Sequence, residues 1–311
     1  MNRIDIPATV STALHQIWTG PLRDATVVAV FERAAYLDVS DRTPCLVAVV
    51  TRDGVHQPGS IVLGAESTQQ PLRQVSVGQA AQIGASALVL GRVHVRLTRW
   101  WNPRPHLAAR APRQLLEFAE TIEQAIARLQ ASQREHHSGL VDAADRVAAS
   151  LAVGAIDEAC HQARRLIGAG PGLTPAGDDI LAGLIAGLQL LTVRSARTAK
   201  YGDSEPGADT SLAAAAATVG QRIAGAATDR TTFVSAALLA HAARGEVARE
   251  VAIMLTDPTP TAVANVMRIG ATSGPDLCLG IVLAARTIAT ACTADAGSDD
   301  RLALLAERSR R

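Results

Sequence analysis

The order of apolar and polar positions divides the chain near Pro103. Before it, apolar residues come in short runs. Ala25 to Phe31, Ala34 to Ser40 and Cys45 to Thr51 are rich in valine and are separated by turn formers such as Asp41 and Pro44. Asp53-Gly54 signals a turn, and Ser60 to Leu63 and Ala85 to Leu90 predict further strands. From Arg92 to Arg99 the alternation is strict: Val93, Val95 and Leu97 interleave with Arg92, His94, Arg96 and Thr98. A period of two predicts a strand with one buried and one wet face. No helix-length pattern lies between these runs, so a meander or small barrel is expected rather than βαβ units.

After Pro103 and Pro105 the period changes to three-to-four. Pro112 opens a helix whose apolar face carries Leu115, Phe118, Ala119, Ile122, Ala125, Ile126 and Leu129. His136-His137-Ser138-Gly139 breaks it. Further helices are predicted at about 141–151, 156–167, 175–193, 209–225, 232–243, 246–256, 260–269 and 275–290. Arg197 to Ala208 reads as a solvated loop. A short helical patch is expected near Leu302 and Leu305, ahead of a frayed basic end. The expected fold class is α+β: a β-rich N-terminal domain over residues 1–108 and a mostly helical domain over 109–311.

Composition narrows the function classes. The 311 residues carry Lys+Arg 30 against Asp+Glu 29, a net charge of +1, which argues against nucleic-acid binding. Aromatics at 3% are too few for base-stacking platforms. Lys200 is the sole lysine, so neither Schiff-base chemistry nor a P-loop lysine is expected. Cys45, Cys160, Cys278 and Cys292 form no CxxC pair, so neither a zinc site nor a disulfide framework is read. The start has no continuous apolar stretch of signal-peptide type. The longest apolar run, Ile180 to Val193, falls short of the ~20 residues of a membrane span. A cytoplasmic protein with no membrane partner is expected.

The informative segment is Gly168-Ala-Gly-Pro-Gly-Leu-Thr-Pro-Ala-Gly-Asp-Asp179. Thr174 reads as an N-cap, Pro175 as the first helical residue, and Asp178 and Asp179 as first-turn carboxylates. A capped helix does not account for Gly168, Gly170, Gly172 and Gly177; a glycine in a first turn costs roughly 1 kcal/mol against alanine. Their presence suggests close approach of something to the backbone. Free N–H groups at a helix start favour an anion, whereas paired carboxylates oppose one. A bridging divalent cation, an aspartate turned away as a cap, or a ligand carrying both an N–H₂ and a C=O would each resolve the conflict. Two more helix starts carry similar chemistry. Arg230, Thr231, Thr232 and Ser235 lie in Asp229-Arg-Thr-Thr-Phe-Val-Ser235, and Thr272, Ser273, Gly274 and Asp276 in Gly270-Ala-Thr-Ser-Gly-Pro-Asp276. If the three segments build one site, Thr174, Ser235 and Ser273 must converge and an anion would draw Arg230 inward. His241, isolated on a helix, reads as a packing or surface residue.

These residues carry a resemblance. GAGPGLTPAGDD with its following Ile-Leu-Ala-Gly-Leu helix, TTFVSAALLAHAARGE and IGATSGPDLCLGIVLA resemble, in order, the signature of the AllH-like family. The resemblance spans roughly residues 25 to 290, and the family's type member is a subunit of a bacterial oxamate carbamoyltransferase in allantoin breakdown. It implies transfer of a carbamoyl group between an oxamate-like nitrogen and phosphate, with partner subunits. The expected ligands are a carbamoyl substrate and phosphate, with no resident cofactor. Asp178, Asp179 and Thr174 are the expected catalytic group. Gly170, Gly172, Gly177, Arg230, Thr232, Ser235, Thr272, Ser273, Gly274 and Asp276 are the expected substrate-binding residues. A non-catalytic ligand-binding or scaffold subunit, and a magnesium-dependent enzyme using the paired aspartates, are the alternatives.

Overall fold

The computed structural model describes residues 4–39, 45–129, 138–192 and 208–308. Its first eight strands are β1 (Ile4–Ser11), β2 (Arg23–Val30), β3 (Ala34–Val39), β4 (Leu46–Val50), β5 (Ser60–Leu63), β6 (Ala80–Gly84), β7 (Ala87–Leu90) and β8 (Val93–Trp101). They close into a barrel in the order β1-β5-β4-β3-β2-β6-β7-β8. This corrects the expected fold where it allowed a meander. β1 runs parallel to β8 and β4 parallel to β5, pairings that hairpins alone cannot make. Closure depends on β1, a strand the apolar pattern does not announce because Pro7 interrupts it. Pro7 lacks a donor, but its carbonyl accepts from Gly64 N–H at 2.7 Å. β6, only five residues long, is likewise not announced.

Val47, Val49, Ile61, Leu63, Ile83, Leu88 and Leu90 fill the barrel, joined by Leu14 and Trp18 from the turn between β1 and β2. β4 is buried along its whole length because both faces are covered. Val47 and Val49 face the barrel core. Leu46, Ala48 and Val50 face outward and pack, with Tyr36 and Val62, under Val234 and Ala237 of a helix. An uninterrupted apolar run is what two covered faces require.

The helices are α1 (His15–Thr19), between β1 and β2, then α2 (Pro112–Leu129), α3 (Ser138–Ala152), α4 (Ile156–Ala163), α5 (Ala176–Thr192), α6 (Ala208–Ala227), α7 (Phe233–Ala242), α8 (Arg249–Thr256), α9 (Pro260–Met267) and α10 (Ser273–Arg308). The predicted break at His136 and His137, and the loop predicted from Arg197 up to residue 207, lie outside the described residues. The patch expected near Leu302 belongs to α10, which continues well past the predicted end. By length and composition alone, Ser273–Thr293 could cross a membrane, but 61% of that window is buried in the fold.

α5 is buried at every residue, and α10 is its principal neighbour. The two touch backbone to backbone. A Cβ on Gly183 would sit 2.1 Å from the Leu277 carbonyl oxygen, and one on Gly280 2.1 Å from that of Ile180. α7 ties the helices to the barrel: it supplies the apolar contact above, and a Cβ on Gly59 would sit 2.8 Å from His241 Nε2. His241 is buried, its Nδ1 2.7 Å from Glu246 Oε2, and burial lowers its pKa.

Because backbone cannot yield as a flexible side chain does, Gly280→Ala is expected to destabilise the protein by about 1–3 kcal/mol or more. Gly225→Ala, where a Cβ meets nothing within 4 Å, is expected to be neutral or mildly stabilising. Denaturant midpoints of the two variants check this; equal midpoints would rule out the close helix contact.

Candidate functional site

The three glycine- and hydroxyl-rich segments come together at the N-termini of α5, α7 and α10. Thr174 Oγ1 is 2.9 Å from Ser273 Oγ, joining the first segment to the third across 99 residues. Thr231 Oγ1 donates to Asp178 Oδ2, and Thr232 Oγ1 donates to the Leu173 carbonyl at 2.5 Å, joining the first to the second. Thr232 also caps α7, accepting from Ser235 N–H at 3.1 Å.

Several local readings are corrected. α5 starts at Ala176, one residue later than expected, and the Pro175 carbonyl accepts from the N–H groups of Asp178 and Asp179 at 2.9 and 3.1 Å. Thr174 therefore lies outside the helix and spends its hydroxyl on Ser273 instead of capping. Close approach to the glycine backbone does occur, but the approaching group is the protein itself at Gly168, Gly177 and Gly274, and also at Gly170, where a Cβ would meet the Ala176 nitrogen at 2.9 Å. A Cβ on Gly177 would meet the Leu166 carbonyl oxygen at 2.2 Å, and one on Gly274 that of Val266 at 2.1 Å. Their N–H groups are also committed, Gly177 to Ala169 O and Gly274 to Ile269 O, each at 2.9 Å. Gly172 is different: exposed, at φ +98, with open space where a Cβ would be. Gly170 is exposed as well. Arg230 is exposed, and its backbone carbonyl oxygen lies 2.4 Å from where Gly168 would carry a Cβ. Thr272 accepts from Asp276 N–H at 3.2 Å through its carbonyl.

The paired aspartates have separate duties. Asp178 is a clasp: Oδ1 accepts from Gly168 N–H at 2.9 Å and Oδ2 from Thr231. Burial raises its pKa, and these donors oppose that rise. Asp179 faces the start of α10. Its Oδ2 is buried with no hydrogen-bond partner among the described residues. Burial, together with the nearby Asp276 and Asp178 charges, pushes its pKa up to about 7, against the opposing pull of the Ser273 and Thr174 hydroxyls. Asp178, Asp179, Ser235 and Asp276 are exposed by only 2, 4, 1 and 5%, so the cluster is closed rather than an open cavity. Among the described residues, no group of three or more His, Cys, Asp or Glu side chains is placed to hold a metal ion. The clasp partners Gly168 and Thr231 both lie in the segments singled out from the sequence, as an unexplained glycine and a hydroxyl donor, but nothing local says that they bind Asp178.

Opposite stability effects are expected from these neighbours. Asp178→Ala leaves the Gly168 N–H and the Thr231 hydroxyl without their acceptor and should cost roughly 2–4 kcal/mol at neutral pH. For Asp179 the folded pKa of about 7 lies above the unfolded 3.8. The unfolded chain releases the proton first, so wild-type stability falls as pH rises through that interval. Asp179→Asn should remove this fall: its stability relative to wild type rises by roughly 2–4 kcal/mol between acid and neutral pH. Thermal melts of both variants and wild type from pH 4 to 8 test the pair. A wild type and Asp179→Asn variant with parallel pH profiles would return Asp179 to the ordinary carboxylate range.

No curated protein and no solved structure matches the chain. The barrel lies outside the family match, which is narrower than the resemblance read from the sequence. Residues 166–285, which hold all three converging segments, match the family described as oxamate carbamoyltransferase subunit AllH.

Proposed function

We propose that the chain is a carbamoyltransferase subunit whose Asp179, Thr174 and Ser273 cluster handles the nitrogen side of carbamoyl transfer between an oxamate-like nitrogen and phosphate. The observation that carries this reading is the buried, unpartnered Asp179 oxygen, on a carboxyl that holds its proton to about pH 7. Such a group is suited to proton transfer at neutral pH. With oxalurate as the carbamoyl donor, a phosphate oxygen attacks the ureido carbon. The bond from that carbon to the oxamate nitrogen breaks, and Asp179 gives its proton to that nitrogen. The products are oxamate and carbamoyl phosphate, and the proton of the attacking phosphate restores Asp179. The Thr174 and Ser273 hydroxyls orient the carbamoyl group. The N–H groups at Gly170 and Gly172 lie on the exposed turn and are the candidates for the developing oxyanion. Asp178 serves as a positioning residue through Gly168 and Thr231. Displacement of the exposed turn over residues 170–173 admits the ligand to the closed cluster.

The closure also favours a second reading, in which the chain holds a ligand or scaffolds the assembly while a partner subunit performs the chemistry. Purified chain, alone and with its partner subunits, should be assayed for phosphate-dependent formation of carbamoyl phosphate from oxalurate. Asp179→Asn is expected to lower kcat at least 100-fold while the protein stays folded. Full activity of that variant in the assembled complex would sink the catalytic role and leave the scaffold reading.

A further inference from the structure

A second polar constellation lies on the outer wall of the barrel and shares no residue with the Asp179 cluster. β1, β5, β8 and the start of α8 enclose a cleft of about 430 Å³. Arg52, His56, Arg99 and Arg249 line it, with Thr9, Thr98 and Trp101, and no carboxylate belongs to its wall. Arg52 is partly neutralised by Glu66. Arg99 and Arg249 are exposed and have no ion-pair partner among the described residues. The Trp101 indole N–H is buried and lacks an acceptor among the described residues. A buried donor without an acceptor costs free energy that a bound acceptor would recover.

The barrel builds this wall with a register shift. Along the parallel β1–β8 pair, Ala8 faces Leu97 but Thr9 faces Arg99. Thr98 is the extra residue, its hydroxyl donating to the Ala8 carbonyl at 2.9 Å. Val93, Val95 and Leu97 pack toward the barrel core before the shift, and Trp100 packs toward it afterwards. The alternation has therefore changed parity, and Arg99 and Trp101 emerge on the outer face. Without the bulge, a side chain at position 99 would share the inward face of Val93, Val95 and Leu97. Bulges of this kind re-aim side chains at sites. The helical half supplies the opposing charge: Arg249 N–H donates to the His56 carbonyl at 3.0 Å, which holds the first residue of α8 against the loop after β4.

We propose that this cleft binds a small oxyanion ligand through a carboxylate or phosphate group, gripped by Arg99 and Arg249 and accepting from the Trp101 N–H. Guanidinium forks match a pair of oxygens on either group, and a cleft walled by one sign of charge concentrates its counter-ion. The volume falls in the range of small-molecule sites and exceeds what a bare phosphate fills. This inference stands apart from the carbamoyl-transfer reading, because none of its residues takes part in that chemistry.

Calorimetric titration of the full chain with inorganic phosphate and, separately, with oxalate tests it, with tryptophan fluorescence as a second readout. Saturable binding of at least one anion is expected, the cleft's share being the part lost in the cleft-arginine variants, and the anion preferred there tells phosphate from carboxylate recognition. Arg99→Ala and Arg249→Ala should each weaken it about tenfold or more without changing the melting temperature, since both side chains are exposed. Trp101→Phe should weaken it less. Arg113→Ala, on α2, should bind as wild type does, and Asp179→Asn should keep the part of the binding that depends on Arg99 and Arg249. Failure of both anions to saturate, or unchanged affinity in the two cleft-arginine variants, would overturn the proposal. Loss of turnover in Asp179→Asn with anion binding intact separates this site from the catalytic one.

Discussion

The helical half is organised by backbone contact between α5 and α10. Gly183 and Gly280 remove the side chains that would hold the two helices apart, so each carbonyl lies where a Cβ would otherwise project. The contact falls within two turns of both N-termini, which fixes the start of α5 beside the start of α10. Thr174 and Ser273 then meet with little freedom left to lose. α7 is drawn to the same place by two threonines, one bound to Asp178 and one to the Leu173 carbonyl. The same helix lays Val234 and Ala237 on the barrel, so the site and the docking of the two halves share one element.

Bringing three helix starts together buries carboxylates, and burial is the physical source of the chemistry proposed. A carboxyl removed from water holds its proton more tightly unless donors compensate. Asp178 has two strong donors and becomes a structural clasp. At Asp179 one oxygen is left without any, and the Asp276 and Asp178 charges add to the cost of ionising it. The helix dipole at the start of α5 works against this but amounts to only about 0.3–1 kcal/mol. Desolvation wins at Asp179, and a strained protonation equilibrium near neutrality is the outcome.

The barrel contributes differently. A closed sheet exposes no edge, so its outer wall is free to carry features that an open sheet would use for protection. One sector is covered by α7. Another, where β1 bridges β5 and β8, carries the register shift and the arginine-lined cleft. Positive and negative clusters thus stand on different elements of one molecule, the carboxylates at the helix starts and the arginines on the barrel wall.

Periodicity is a local property, and what is local could be read directly. The change from two to three-to-four near Pro103, the strand at Ser60–Leu63, the start of α2 at Pro112 and the unusual glycine segment all follow from residues adjacent in the chain. So does the suspicion attached to Thr174, Ser235 and Ser273, which need only a helix start. Closure of the barrel was not legible, because the closing strand contains Pro7 and pairs in parallel with residues some ninety positions away. Nor was the outward turn of Arg99, since a strict alternation carries no mark of an inserted residue until two strands are in register. The glycines misled for the same reason: Gly177 and Gly274 do signal close approach, but sequence cannot say whether ligand or carbonyl approaches. Asp178 and Asp179 are identical neighbours in sequence, yet successive residues on a helix point about 100° apart. One faces Gly168 and Thr231, the other Ser273. Their proton affinities are set by groups up to ninety-odd residues distant, and only the packing of α5 on α10 decides which groups those are.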